Sequence, residues 1–439
     1  MPEAKEKNRV VVTGLGAVTP IGVGVDAFWD ALISGKNGIH RIARFDPSEF
    51  ASQIAGEIRQ FDPKQWIDVK TVRRTDRATQ FGLAAAGMAM ADSGLEGSGF
   101  DSRRAGTIVG SGIGGIETLE KEHLLYLDKG ARAVSPFVVA MVMINMTVSM
   151  ISITHGLRGP ISSPSVACST GTNAIGEAMR TIQDGRADIM LAGGTEACIT
   201  PLLIGAFSAA RSLSRRNDSP ETASRPFDRT REGFVMGEGA GVVVLESLTH
   251  ARERGAKIYA EVIGFGNTAD AFHFTAPEPT GDGMIRVMAS AMADAGVTSD
   301  QVDYINAHGT STQLNDRTES KAVVKVFGDH ADRLKMSSIK SMIGHLIAAA
   351  GAVEFVATVK SIEQQKVPPT INYREPDPEC PLDYVTKGAE SLDIHMALSN
   401  SFGFGGGNAC LVLRKYEPDY RFQMTLQDIM YGRSRGVVG

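Results

Sequence analysis

Apolar residues fall into two kinds of run along this chain. Short clusters of β-branched and small residues, many closed by glycine, alternate with longer stretches whose apolar positions recur every three or four residues. The short runs predict strands at Val10–Gly14, Ala105–Gly110, Ser163–Ala167, Ile189–Ala192 and Gly241–Leu245. A second set follows at Ala260–Gly264, Tyr304–Ala307, Met336–Ile339, Met396–Ser399 and Ala409–Leu413. The longer runs predict helices at Gly82–Ser93, Asn173–Gln183, Gly283–Ala295 and Gly344–Gln364. Alternation of this kind defines the α/β class, and the same order runs twice. The expectation is two five-stranded units, residues 9–256 and 257–415, meeting near Arg254–Lys257. An extension, 416–439, loses the pattern and is expected to lie on the surface or to be poorly ordered.

One stretch interrupts the alternation. Pro136 to Thr154 carries no charge, yet Asn145, Thr147, Ser149 and Ser152 make it too polar to span a bilayer. Met141, Met143, Met146 and Met150 recur at helix-compatible spacing, so a buried or interface helix is expected, with a homodimer as its cover. The charged residues before Val10 and the early glycine do not resemble a secretory leader.

Composition narrows the functions. The 439 residues hold 45 Lys+Arg against 50 Asp+Glu, a formal charge of -5, which argues against a nucleic-acid partner and requires any basic site to be local. The four cysteines are dispersed without a CxxC pair, which points to the cytoplasm and away from disulfides or zinc. No HxxxH or HExxH spacing occurs, so no metal is expected.

Two glycine runs look like nucleotide loops and are not read as such. Gly110-Ser111-Gly112-Ile113-Gly114-Gly115 matches GxGxxG after a predicted strand, but Leu127-Asp128-Lys129-Gly130 does not end the second strand that a dinucleotide fold needs. These glycines are read as close backbone packing. Gly403 to Gly407 lacks the Lys-Ser/Thr of a P-loop.

Cys168 has a more informative setting. A predicted strand ends at Ala167, and Ala174, Ile175, Ala178, Met179 and Ile182 follow at helical spacing, so the thiol is expected at a strand-to-helix turn. There the helix dipole and free backbone N–H groups favour a thiolate nucleophile. Cys198 and Cys410 lie in or beside apolar strands and are read as inert. His308 and His345 both follow predicted strands, and ligands of an open α/β sheet bind at the carboxyl ends of strands. Cys168, His308, Lys340 and Phe404 are therefore expected to converge from both halves.

At these residues the chain resembles the β-ketoacyl-[acyl-carrier-protein] synthases, nearer the synthase II branch, within the thiolase superfamily. The resemblance covers Arg9 to Lys415. It rests on VVVTGLGAVTPIG at the start, ACSTGTNAIGEA around Cys168, AGGTEA at Ala192–Ala197, SRPFDRTREGFVMGEGAG at Ser224–Gly241, HGTST at His308, SIKSMIGH ending at His345, and NSFGFGGGNA at Asn400–Ala409. It implies a thiolase-like fold of duplicated halves, layered α-β-α-β-α, and a decarboxylative Claisen condensation of acyl- with malonyl-carrier protein. Cys168 would take the acyl chain, with its own N–H and that of Phe404 as the oxyanion hole. His308 and His345 would stabilise the enolate left by decarboxylation, and Lys340, balanced by Glu354, would support them. Thr310 and Thr312 match positions that bind the phosphopantetheine arm, which arrives on the carrier protein, so no resident cofactor is implied. Phe404 and Ile113 match gates. Lys70, Arg73, Arg74, Arg132 and Arg211 are nominated by position as the docking patch for an acidic acyl carrier protein.

Two positions depart from the family pattern: Gly407 stands where Thr is usual, and Ile343 likewise. The expectation is a looser Phe404 loop and one hydroxyl fewer beside His345. The resemblance leaves open a condensing enzyme of a specialised polyketide, polyene or signalling-lipid pathway. Cys168, His308 and His345 together weigh against a non-catalytic chain-length subunit, and His345 against a thiolase proper.

Overall fold

The computed structural model describes residues 7–97 and 99–418. The first half supplies strands β1 (Val10–Thr19), β2 (Ala105–Gly110), β3 (Ile161–Ser162), β4 (Ile189–Glu196) and β5 (Gly239–Ser247). The second supplies β6 (Ala260–Ala269), β7 (Tyr304–Asn306), β8 (Lys335–Ser337), β9 (Met396–Phe402) and β10 (Gly407–Lys415). They form one sheet in the order β8-β7-β9-β10-β6-β1-β5-β4-β2-β3. From the centre outward, the first half reads first, fifth, fourth, second, third, and so does the second. Directions match as well: the inner pairs of each half are antiparallel and the outer pairs parallel. The halves meet where Val10–Val12 runs antiparallel to Ala260–Val262.

Five helices complete the layers: α1 (Arg77–Ser93), α2 (Thr170–Gln183), α3 (Asp282–Ala295), α4 (Gln313–Phe327) and α5 (Ala350–Gln364). Helices α2 and α5 pack on each other between the two halves of the sheet. Helix α1 covers β1 and β5 from outside, and α3 covers β6 and β10 with α4 beside it. Three large apolar clusters fill the spaces between layers: one around α2 and α5, one under α1, one under α3 and α4. Every residue of β1, β4 and β5 is buried, which is why these strands read as unbroken apolar runs without alternation.

The outer helices sit unusually close to the sheet, and glycine permits it. A Cβ on Gly16 would lie 1.9 Å from the Ala85 carbonyl oxygen of α1; one on Gly266 would lie 2.3 Å from that of Val287 in α3. The glycine that interrupts each first strand is thus a docking point for a helix backbone.

Several predicted elements differ. Ser163–Ala167 is not a strand: the parallel partner of β2 is Ile161–Ser162, and Pro160 and Pro164 bracket it too closely for more ladder to form. Gly344–Gln364 is not one helix. Gly344 has φ +73, His345 N–H donates to the Val235 carbonyl at 2.7 Å, and α5 starts only at Ala350. Helix α2 begins three residues before its predicted start. The uncharged stretch forms two helices, Val138–Val142 and Met146–His155, because Met143–Asn145 turns the chain where Gly115 N–H donates to Val142. The four methionines therefore share no single helix. Tyr416–Pro418 is described, with the Tyr416 hydroxyl accepting from Arg252 at 3.1 Å; the rest of 416–439 lies outside the described residues. No helix among the described residues is long and apolar enough to cross a membrane.

The close approach gives a paired expectation for thermal unfolding. Gly16→Ala should cost about 3 kcal/mol or more by forcing α1 off the sheet. Gly87→Ala, in the same helix with open space where its Cβ would be, should stabilise by about 0.4–1 kcal/mol.

Candidate functional site

A cavity of about 540 Å³ opens where the carboxyl ends of the strands from both halves meet. Cys168, His308, His345, Phe404, Ile113, Thr310, Thr312 and Arg211 all line it. Lys340 and Glu354 lie behind it, and Lys70, Arg73, Arg74 and Arg132 are exposed outside it.

Cys168 sits in a single 3₁₀ turn, Ala167–Ser169, that runs directly into α2. Ala167 takes φ +46, a left-handed conformation that costs a residue with a Cβ about 1–3 kcal/mol and holds the thiol at the cavity floor. Val166 N–H donates to Thr170 Oγ1 at 2.8 Å and Ser169 Oγ donates to the Val166 carbonyl at 2.9 Å, so the turn is closed from both sides. The expected thiolate is not the resting state. Burial pushes the Cys168 thiol up to about 11, outweighing the Phe404 N–H and the Lys340 charge that pull it down. Phe404 N–H faces the sulfur, and Cys168 N lies against Gly403, where a Cβ would come within 3.3 Å.

The histidines face each other edge to face, ring centres 5.3 Å apart. Ile347 N–H donates to His345 Nδ1 at 3.1 Å, which leaves the ring proton on Nε2. That Nε2 is buried and has no protein partner. Lys340 Nζ lies 3.5 Å from His308 Nδ1 and donates to the His308 carbonyl at 2.6 Å, so His308 also carries its proton on Nε2. Burial first, then the Lys340 charge, hold both imidazoles well below their usual pKa. Both are neutral donors.

Lys340 is 1% exposed and paired with Glu354 of α5, itself 1% exposed. Glu354 Oε2, Asn306 Oδ1 and Ser399 Oγ are buried without a protein partner. Asn306 Nδ2 donates to the Glu354 carbonyl at 3.2 Å, and Asn306 and Ser399 are opposite residues of β7 and β9. Such an oxygen set suits a hard cation or water. No group of three or more His, Cys, Asp or Glu placed to hold a metal occurs among the described residues.

Two carboxylates that sequence reasoning did not single out shape the HGTST turn. Glu319 accepts from His308 N–H at 2.9 Å and Gly309 N–H at 2.8 Å; Asp316 accepts from Thr310 N–H at 3.0 Å and Ser311 N–H at 3.1 Å. Fully buried Arg231 backs Asp316 at 3.6 Å and Asp377 at 2.6 Å. Their signal was present as Asn315-Asp316-Arg317-Thr318-Glu319, acids placed one helical turn apart directly after HGTST. Thr310 and Thr312 hydroxyls lie 2.9 Å apart at the cavity wall, and Thr312 also caps α4 through Asn315 N–H. Phe404 is 37% exposed and 6.3 Å from Phe207, at the cavity mouth.

The two departures have physical settings. A Cβ on Gly407 would come 2.6 Å from Val166 Cγ1, so valine fills the space that a longer side chain would need. Ile343 is fully packed in the apolar cluster around α2 and α5.

Against this geometry, two family models match in tandem: β-ketoacyl synthase N-terminal domain over residues 7–251 and C-terminal domain over 259–374. The chain belongs to the β-ketoacyl synthase family. It is 49% identical to 3-oxoacyl-[acyl-carrier-protein] synthase 2 of Synechocystis sp., over 94% of this chain and 99% of that one. The protein of the same name from Coxiella burnetii is 50% identical over 93% and 99% of the two chains. Among solved structures, a type II polyketide ketosynthase in complex with its acyl-carrier protein superposes with TM-score 0.88 at 38% identity, covering 94% of this chain and 100% of that one. The ishigamide ketosynthase/chain length factor gives 0.87 at 37%, covering 94% and 100%. The thiolase-like duplicated α/β fold implied by the motifs is the fold of these neighbours.

Burial also pushes the Glu319 carboxyl up to about 7, against the N–H groups of Gly309 and His308. A carboxyl whose pKa rises on folding adds stability below its unfolded value near 4.5 that is lost as pH rises to about 7. Glu319→Gln should therefore flatten the decline in unfolding free energy across that window, as read by denaturant titration at stepped pH.

Proposed function

We propose that this protein is a β-ketoacyl-[acyl-carrier-protein] synthase that condenses acyl- with malonyl-carrier protein, lengthening the chain by two carbons in fatty acid synthesis. Two neutral imidazoles presenting Nε2–H into the cavity that holds Cys168 carry this reading. Relatives named synthase 2 at 49–50% identity support fatty acid elongation over a specialised pathway.

Cys168 takes the acyl group from the carrier thioester through a tetrahedral intermediate whose oxyanion meets the N–H groups of Cys168 and Phe404. The thiol proton leaves with the carrier's sulfur, so the buried thiol need not ionise in the resting enzyme. Malonyl-carrier protein enters next, its pantetheine arm along Thr310 and Thr312. Loss of CO2 leaves an enolate at the thioester oxygen, and His308 and His345 donate to it. Neutral donors suit this step: imidazolium would add a proton to the enolate carbon instead of stabilising the oxygen. The carbanion attacks the acyl–Cys168 carbonyl, and one proton returns Cys168 to the thiol.

The protein acts as a homodimer in the cytoplasm, organised as halves 9–256 and 257–415, with no resident cofactor. Ile161 on β3, the sheet's edge strand, and Ile153 on the helix packed against it are exposed on the single chain, as are Leu124, Leu127 and Val139 on the two preceding helices. A second copy covering this face removes both the apolar patch and the open edge. Lys70, Arg73, Arg74 and Arg132 form the carrier surface, with Arg74 over the Phe137 ring at 4.6 Å and Arg211 at the cavity mouth.

Released CO2 separates the two chemical roles. Cys168→Gln should abolish condensation yet leave malonyl-carrier decarboxylation measurable or raised, since a neutral amide stands in for the acylated cysteine. His308→Ala and His345→Ala should lower decarboxylation by roughly 10²- to 10³-fold, the loss typical of one oxyanion donor. A Cys168→Gln enzyme that folds but loses both activities would sink the assignment.

Charge reversal tests the docking surface. Arg73→Glu with Arg74→Glu should raise KM for an acyl-carrier donor about tenfold, while turnover of a short acyl-CoA surrogate stays close to wild type. Equal loss with both donors would place the effect in the fold and not in docking.

A further inference from the structure

Glu196, the last residue of β4, is fully buried, and none of the ion pairs among the described residues includes it. Its carboxylate is surrounded by donors of one loop. Gly112 N–H donates to Oε2 at 2.8 Å, Ile113 N–H to Oε1 at 3.3 Å, and Ser111 Oγ to Oε1 at 3.0 Å. Ser111 Oγ in turn accepts from Gly114 N–H at 3.0 Å, so the whole turn from Ser111 to Gly114 is tied to one side chain. The Ala348 N–H, in the turn that leads into α5, also pulls the same carboxyl down.

The glycine of this loop is shaped to the carboxylate. A Cβ on Gly112 would lie 2.7 Å from Glu196 Oε2, closer than real Cβ contacts allow. Ile113 comes next, and its side chain lines the cavity beside Cys168, Phe207 and Phe404. An apolar side chain at that wall meets the acyl chain of any thioester presented to Cys168.

We infer that Glu196 is a positioning residue that fixes Ile113 through the backbone of the Ser111–Gly114 turn and thereby sets which acyl lengths the cavity accepts. The inference rests on the condensing function proposed above and adds the residue that tunes its substrate range. Glu196 touches neither the thioester nor the enolate, so its effect belongs in selectivity between donors and not in the chemistry common to all of them.

The test measures kcat/KM for hexadecanoyl- and hexanoyl-carrier protein with malonyl-carrier protein. It compares wild type, Glu196→Asp, Glu196→Ala, Ile113→Ala and the double variant Glu196→Ala with Ile113→Ala. Both Glu196 variants should shift the long-to-short ratio at least fivefold, and the shift should vanish when Ile113 is already alanine. Where Glu196→Ala does not fold, Glu196→Asp, which shortens the side chain by one methylene, carries the test in the same two backgrounds. A ratio that stays constant while all rates scale together overturns the inference, as does a shift that persists without Ile113. Wild-type protein that condenses neither donor overturns the functional reading itself, a result distinguishable from condensation with an unaltered ratio.

Discussion

Lys340 enters the interior with four relationships at once. Its ammonium pairs with Glu354, bonds the His308 carbonyl, faces His308 Nδ1 and lowers the basicity of both histidines. Removing a lysine from water costs several kcal/mol, and only a well-placed carboxylate offsets that cost. The carboxylate comes from the first turns of α5, between the sheet halves, while the lysine follows β8 at the sheet's far edge. The ion pair therefore constrains where α5 sits relative to the outer strands, and the histidine tautomers follow. Two neutral N–H donors are thus held beside one buried, paired cation.

The same arrangement explains the resting thiol. In an open cleft, a helix N-terminus and a lysine would be expected to ionise a cysteine. Here burial dominates and the sulfur keeps its proton in the resting protein.

Strand content was legible because buried α/β strands are apolar throughout, and the glycines that close them mark turns or helix docking points. Of the four residues expected to converge, Cys168, His308 and Phe404 do line one cavity, while Lys340 lies behind its wall and acts on it through His308. What failed were places where tertiary contacts override local pattern. The stretch from Gly344 to Ala349 carries Leu346, Ile347, Ala348 and Ala349, and composition alone extends α5 through it. The backbone instead bonds Val235 and turns His345 into the cavity. Ser163–Ala167 looks like a strand by composition, but Pro164 inside it lacks a donor and the Val166 N–H turns to Thr170 Oγ1. Glu196 was invisible as a functional candidate because its importance lies in the hydrogen bonds it accepts from a distant loop, whereas Glu319 had a local signal in its spacing from Asp316 after HGTST.

The duplication runs deeper than strand order. In the first half a left-handed residue, Ala167 with φ +46, opens a 3₁₀ turn that becomes α2; in the second, Ile347 with φ +49 opens a 3₁₀ turn that becomes α5. Each helix then carries glycine at its second residue, and these touch across the layer: a Cβ on Gly171 would meet Ala352 N at 2.7 Å, and one on Gly351 would meet Thr172 Oγ1 at 2.0 Å. The position of Cys168 in the first turn is that of Ala348 in the second. A strained turn at a helix N-terminus leaves backbone N–H groups pointing outward, and those groups require an acceptor. In the reaction proposed for the first half, the acceptor is the substrate's developing oxyanion. In the second, where alanine replaces the nucleophile, the Ala348 N–H helps pull the Glu196 carboxyl down instead. One geometry thus occurs twice: one turn opens onto the cavity at Cys168, and the other is backed by a buried carboxyl that also holds the Ile113 loop.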